Sequence, residues 1–426
     1  MKVKASIIAM GLAALASGSV FAAGFSANES ATVSQFGESN KATVDQQSST
    51  GDRVSVLQDG NGAKATVTSK DGGFNRTDIA QNGAFRGDSG LVANVTQDRA
   101  LGERTSITQS GSNSTANVTQ TASAGDNDSI RQNGTNNTAK ITQTNAAGNT
   151  VNIDQGQGKG FARLDGGSAT VTQTSTFGNN VQISQTGDHG IANVETTGGG
   201  LNKTAITQTG GGTDAYVGQH SELGDTVSIK QDGSALAKVF SNNGGGNKTT
   251  IEQSGAYAPN FAQVNQGNAV NETTTIVQSG PLYNKTYVNQ YNESNDHTSV
   301  TQYGSTNEAT LTQQNGGRNV LTSFQGGSKN TANLTQQAAV ESSLLSVQLG
   351  DLNVANATQS GKDEELLLTQ VGFGNSATAS QSGTGNNAYI GQSGYGNVGS
   401  VTQVGAGNTA IVSQSGAKNT ATISQR

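Results

Sequence analysis

Cysteine and tryptophan are absent from the 426 residues, proline occurs only at Pro259 and Pro281, and aromatic residues make up 4% of the chain. Lack of cysteine excludes disulfide staples and thiol chemistry. At 31% hydrophobic, the chain has too few apolar side chains to fill the core of an ordinary globular protein of this length. Charge is scarce as well, at 13%, which is unlike a disordered polyelectrolyte. What is present is 58 glycines and a large excess of Ser, Thr, Asn and Gln. A polar, glycine-rich chain almost free of proline points to extended backbone held by main-chain and amide hydrogen bonds.

Residues 1–22 read as a secretory leader. Lys2 and Lys4 give a positive start, Ala5 to Leu15 is almost wholly apolar, and Val20-Phe21-Ala22 suits cleavage after a small residue. The apolar run is too short to span a membrane, and no membrane segment is expected in the mature chain. Removal of residues 1–22 takes away two lysines and leaves 22 basic and 30 acidic side chains, a net charge of −8. Mild acidity keeps an unassembled chain soluble and argues against nucleic acid as a partner.

A repeat then organises everything after a short segment, residues 23–28. Gln97, Gln109, Gln120, Gln132, Gln143 and Gln155 recur in alternating steps of 12 and 11. Towards the end the step settles at 11, through Gln359, Gln370, Gln381, Gln392, Gln403, Gln414 and Gln425. Stepping back by twos from a Gln gives arms such as Asn137-x-Ala139-x-Ile141-x-Gln143, Asn179-x-Val181-x-Ile183-x-Gln185 and Asn307-x-Ala309-x-Leu311-x-Gln313. Period two over seven residues is a strand with one inward face. Between arms lie Gly, Ser, Asn and Asp, the chemistry of turns. Arms with β-branched centres alternate with arms that prefer Ala. Allowing Ser69, Thr196 and Ser241 in three Gln positions, there are 34 arms, hence 17 units of 22 or 23 residues across residues 29–426.

The expected fold is all-β: a β-solenoid of stacked strand–turn–strand units with two facing parallel sheets, cross-β and amyloid-like on assembly. Identical amides then line up along the stack and satisfy one another. The expected ladder comprises Gln109, Gln120, Gln132, Asn137, Gln143, Gln155, Asn179, Gln185, Asn307, Gln313, Asn330, Gln336, Gln359, Gln370, Asn375, Gln381, Asn386, Gln392, Asn397, Gln403, Asn408, Gln414, Asn419 and Gln425. The Asn position is acidic at Glu29, Asp52, Glu103, Asp126, Asp225, Glu272, Asp296 and Glu364. Stacking brings Glu103 near Asp126 and Glu272 near Asp296, which suggests gatekeepers that slow premature assembly. The alternative is that this position is a solvated rim where charge costs nothing. Overlong linkers at 82–92 and 156–168 are expected to bulge around Phe85-Arg86 and Phe161-Ala162-Arg163, either as neutral insertions or as contact loops.

The repeat resembles the curlin repeat of curli fibre subunits, on stretches such as Gln370-Val371-Gly372-Phe373-Gly374-Asn375-Ser376-Ala377-Thr378 and Ser106-Ile107-Thr108-Gln109-Ser110-Gly111. The resemblance runs through nearly all of the mature chain and takes its specificity from repetition. It implies an extracellular amyloid fibre at the cell surface, built from copies of the chain and acting in adhesion and the biofilm matrix. A nucleator subunit and an outer-membrane export pore are the implied partners. The chain departs from the familiar pattern in having many more repeats and in starting them at Glu29, which leaves little room for an export tag.

Catalytic chemistry is missing. His189, His220 and His297 fall beside scattered turns and share no repeat position, so neither a metal nor a nucleophilic role is expected, and no cofactor. Acidic turns do not repeat a calcium-binding pattern, and Gly246-Asn247-Lys248-Thr249 lacks the upstream spacing of a phosphate loop. The rival reading is a secreted solenoid that does not polymerise, either an adhesin or a binder of ice or glycan. Outward pairs such as Thr66/Thr68 and Thr170/Thr172 suit an ice-binding array, but Asn117/Thr119, Lys140/Thr142, Asn152/Asp154 and Ser129/Arg131 interrupt it.

Overall fold

The computed structural model describes residues 6–8, 17–23, 28–83, 89–156 and 166–426. Most of the expected leader lies outside the described residues, as do both expected bulges, Phe85-Arg86 and Phe161–Arg163. Within the leader, Ser6–Ile8 and Ser17–Ala23 are extended and pair in parallel with Ser30–Thr32 and Lys41–Gln47. The protein is all-β and parallel, a β-solenoid of about 17 turns. It divides into two compact units, residues 1–212 and 213–426.

In the first unit one face is built from arms with β-branched or threonine centres: Ser30–Phe36, Arg53–Asp59, Arg76–Gly83, Arg104–Ser112, Asn127–Thr135, Thr150–Gln155, Asn180–Gln185 and Lys203–Thr209. Each strand pairs in parallel with the arm one unit on, without a register slip, so that Ile107 meets Ile130 and Gln109 meets Gln132. The facing sheet takes the alanine arms, from Lys41–Gln47 through Val92–Asp98 and Thr138–Thr144 to Ile191–Gly200. There Ala93, Ala116, Ala139 and Ala169 form one buried row, and Val95, Val118, Ile141 and Val171 the next. A large row opposite a small one lets the two sheets interlock.

The second unit keeps the parallel coils but not the strict alternation: Leu321 and Ser323, Leu344 and Ser346, and Leu366 and Leu368 fill inward pairs where β-branched residues were expected, and Ala388 and Ala410 open two later arms of the same series. Thr226–Asn242 and Lys248–Gly267 each run through a corner and supply a strand to both faces. With those corners counted, the strands from Ser30 to Gln425 hold the 34 expected arms. Ser69 and Thr196 sit in register with Gln97 and Gln173, and Ser241 with Gln219 and Gln266.

The alternating steps of 12 and 11 have a structural cause. In the longer coils the turn after an alanine strand carries one extra residue, and these residues form a column of single bridges: Leu101 to Ala124, Ala124 to Ala147, Ala147 to Phe177. From Val354 onward both turns are short and every coil is one residue shorter, as in the pairing of Gln370 with Gln392.

Candidate self-assembly site: amide and carboxyl ladders

Period-two alternation turns every arm's Gln inward, and parallel register places it above the Gln of the next coil. The amide nitrogen then donates forward: Gln109 Nε2 to Gln132 Oε1 at 2.8 Å, Gln132 to Gln155 at 2.8 Å, Gln155 to Gln185 at 2.8 Å. The alanine sheet has its own run, Gln97 to Gln120 at 2.9 Å, Gln120 to Gln143 at 3.2 Å and Gln143 to Gln173 at 3.0 Å. In the second unit Gln348, Gln370, Gln392 and Gln414 are joined at 2.9 Å per step, and Gln313, Gln336, Gln359, Gln381 and Gln403 at 3.0 Å. Gln403 ends its run on Gln425 at 2.9 Å. The same nitrogen also reaches the opposite sheet: Gln109 donates to Val92 O and Gln302 to Lys285 O, both at 3.0 Å. Gln109, Gln132, Gln155 and Gln348 therefore tie coil to coil and sheet to sheet.

The Asn position makes a second ladder. Its side-chain oxygen accepts the backbone N–H of the same position one coil on, as from Asn330 N to Asn307 Oδ1 and from Asn397 N to Asn375 Oδ1, both 3.1 Å. Its nitrogen donates to a glycine carbonyl in the next coil, Asn330 to Gly350, Asn375 to Gly394 and Asn397 to Gly416. Those glycines have φ between +104° and +115°, and a Cβ on either of the first two would overlap the next carbonyl in the column. Gln-x-Gly-x-x-Asn is thus one device: the glycine lets adjacent turns approach closely enough for the asparagine to bridge them. Asn137 and Asn179 bond forward to Gly167 N at 3.2 Å and Asn202 N at 2.9 Å. Asn386 accepts from Asn408 N at 3.0 Å, and Asn419 N donates to Asn397 Oδ1 at 3.1 Å.

All eight acidic positions precede alternate arms, those that begin at Ser30, Arg53, Arg104, Asn127, Thr226, Thr273, His297 and Glu365, and none precedes an arm of the other series. The solvated-rim reading is corrected by the structure: Asp52, Glu103, Asp126, Asp225, Glu272, Asp296 and Glu364 are all buried. The turn folds over this position and closes it from water. One carboxyl oxygen does what Asn Oδ1 does, accepting Asp126 N on Glu103 at 2.8 Å, Asn149 N on Asp126 at 2.7 Å and Asn319 N on Asp296 at 2.6 Å. The other oxygen of Glu103, Asp126, Glu272 and Glu364 is buried without a hydrogen-bond donor, and no lysine or arginine pairs with them among the described residues. Burial therefore raises these groups, to about 8 for Glu103 and Glu272 and about 6 for Asp126 and Asp225. Glu29 rises to about 7 for the same reason, with Asp52 adding to it.

Three buried acids escaped sequence reading. Asp128 takes an inward strand position that holds Thr105 and Val151 in the neighbouring coils, and it is raised well above the usual range by burial and then by Asp126 and Glu103. Its phase was legible, two residues after Asp126. Glu222, at the end of a strand, and Glu293, in a turn, stand three residues before Asp225 and Asp296. Their column is otherwise filled by small residues such as Ala100 and Ala269. Period two lapses beyond the Gln of each arm, so only the spacing Glu-x-x-Asp marked them. Glu293 rises to about 10, by burial and by a carboxyl–carboxyl hydrogen bond to Asp296 that requires a proton. Glu222 rises to about 8 by burial, with Asp225 adding to it.

His189, His220 and His297 are exposed and occupy three different repeat positions. Among the described residues no helix is long and apolar enough to cross a membrane. No curated protein matches the chain. Residues 363–394 and 396–426 match the curlin associated repeat, so these two C-terminal stretches of the β-solenoid are curlin repeats.

Proposed function

We propose that the chain is a structural subunit of an extracellular, curli-like fibre, and that copies add to one another through the bonds that join its own coils. The observation that carries this reading is the sameness of the coil-to-coil contact. In the second unit the step from Gln348 to Gln370 repeats at Gln370 to Gln392 and Gln392 to Gln414 with the same partners and distance. A contact made only of repeat groups does not distinguish a coil of the same chain from a coil of another copy, and stacked amides and main-chain ladders are the chemistry of cross-β fibres. Adhesion, a biofilm role, a nucleator and an export pore come from the curlin resemblance, and secretion from the leader.

X-ray fibre diffraction on the mature chain, diluted from denaturant at neutral pH, tests the reading. Reflections at about 4.7–4.8 Å along the fibre and about 10 Å across it are expected. A chain that stays a folded monomer at high concentration would overturn it and favour a non-polymerising adhesin.

A further inference from the structure

On the outward face of the first unit, the residue after the Asn position is arginine in three successive coils. Arg53 pairs in register with Arg76, and Arg76 with Arg104. All three side chains are exposed. Strand spacing sets them about 4.8 Å apart along the coil axis. Two residues further along each strand stand Ser55, Asp78 and Ser106, so three guanidinium groups share one carboxylate. Asp78 bonds Arg76 at 2.7 Å, while Arg53 and Arg104 have no ion pair among the described residues. The acids nearest in sequence, Asp52 and Glu103, face the other way and are buried.

These arginines line a surface groove of about 530 Å³, together with Phe74 and Asn127. Phe74 holds a left-handed φ of 59°, lies against Gly51 of the preceding coil, and is 69% exposed. An open aromatic ring beside a column of guanidinium groups short of acid partners is equipped for a ligand that carries both negative charge and an apolar face.

We propose that this groove binds an acidic polysaccharide laid along the coil axis, with Arg53 and Arg104 each gripping a carboxylate and a sugar ring packed on Phe74. Guanidinium forks hold carboxylates through two parallel hydrogen bonds. Arg53 and Arg104 stand two rungs, about 9.6 Å, apart, a reach comparable to two linked pyranoses, so uronate groups on alternate sugars meet the two arginines that Asp78 does not hold. The C–H faces of a pyranose pack on the negative face of an aromatic ring. Single-stranded nucleic acid fits less well, because base stacking calls for a series of aromatic platforms and the groove has one. This site does not depend on the fibre reading.

The test is titration of the full-length folded chain at physiological salt with hexagalacturonate, with cellohexaose as its neutral counterpart and with hexathymidylate. Saturable binding of hexagalacturonate alone is expected. The double variant R53Q/R104Q should weaken it by about tenfold or more, and R53K/R104K by less, since charge survives but the fork is lost. Phe74→Ser should weaken it several-fold, while K41Q/K64Q, on the other sheet, should leave it unchanged. Binding of cellohexaose or hexathymidylate at equal affinity would overturn the proposal. So would a loss in K41Q/K64Q matching that in R53Q/R104Q, or retention of affinity in R53Q/R104Q. Fibre diffraction of the same variants separates the two readings: the substitutions touch only exposed side chains, and assembly should persist when glycan binding is lost.

Discussion

A carboxyl in the Asn position keeps only half of what an amide does there. Asn319 accepts from Ser342 N at 3.0 Å and donates to Ala339 O at 2.8 Å; an ionised Glu272 or Asp296 only accepts. Burial penalises the charged form because water is excluded, and protonation in addition restores a donor. The folded pKa is therefore raised, from 4.5 to about 8 for Glu272 and from 3.8 to about 6 for Asp126. For a raised folded pKa the stabilisation is fully present below the unfolded value and is lost as pH climbs through the folded one. Stability should decline from about pH 4 to about pH 9 as these groups ionise. Glu272→Gln should stabilise the chain by about 2 kcal/mol at pH 9 and by almost nothing at pH 4. Denaturant midpoints at the two pH values check this; an equal gain at both would contradict proton linkage.

At the scale of the turn, two neighbouring glycines make opposite demands. Gly372 has φ of 119°, and a Cβ there would overlap Gly394 O; Gly374 has φ of 64° with nothing near its missing side chain. Non-glycine residues already occupy the same left-handed corner at Leu352 and Lys418, with φ of 59° and 57°. Gly372→Ala should cost about 2–3 kcal/mol, through backbone strain and loss of close approach, and should cut the bond from Asn353 Nδ2 to Gly372 O, now 3.0 Å. Gly374→Asn should be nearly neutral, since Asn tolerates this region. Paired thermal melts decide the matter. The spacing Gln-x-Gly-x-x-Asn was readable in the sequence, but which glycine is bound by contact and which by backbone angle alone was not. That difference lies in how far the next turn sits above each one.

At the scale of the whole chain, acids and amides are unevenly distributed. In the second unit the ladder beside the alanine arms runs Asn284, Asn307, Asn330, Asn353, Asn375, Asn397 and Asn419 without a charge. The other ladder carries the acids, the last of them Glu364, whose carboxylate accepts Asn386 Nδ2 at 3.0 Å. The coils after residue 371 thus carry no carboxyl whose charge would be penalised by burial under another coil. Deleting residues 371–426 should lengthen the lag before assembly, and changing the acidic positions to Asn should shorten it, most at alkaline pH. Thioflavin time courses at pH 5 and pH 9 measure both. An unaltered lag in the deletion would remove the C-terminal template role, and an unaltered lag in the Asn variant the gatekeeper role.

Period two, a fixed Gln step and turn-forming residues between arms were enough to specify the strands and the count of arms, because each is a local property repeated; the alternation of alanine and β-branched rows holds in the first unit and gives way to leucine, serine and alanine in the later coils of the second. Burial of the Asn position was beyond that reading. Asp52, Glu103 and Asp126 look like exposed turn acids until the turn is seen to fold over them, and whether charge there costs anything depends on the coil above. Likewise Arg53, Arg76 and Arg104 stand a whole coil or more apart along the chain and become one column only when parallel register stacks them. Sequence determined what each coil is made of; the stack decided which side chains are denied water and which are brought within reach of one another.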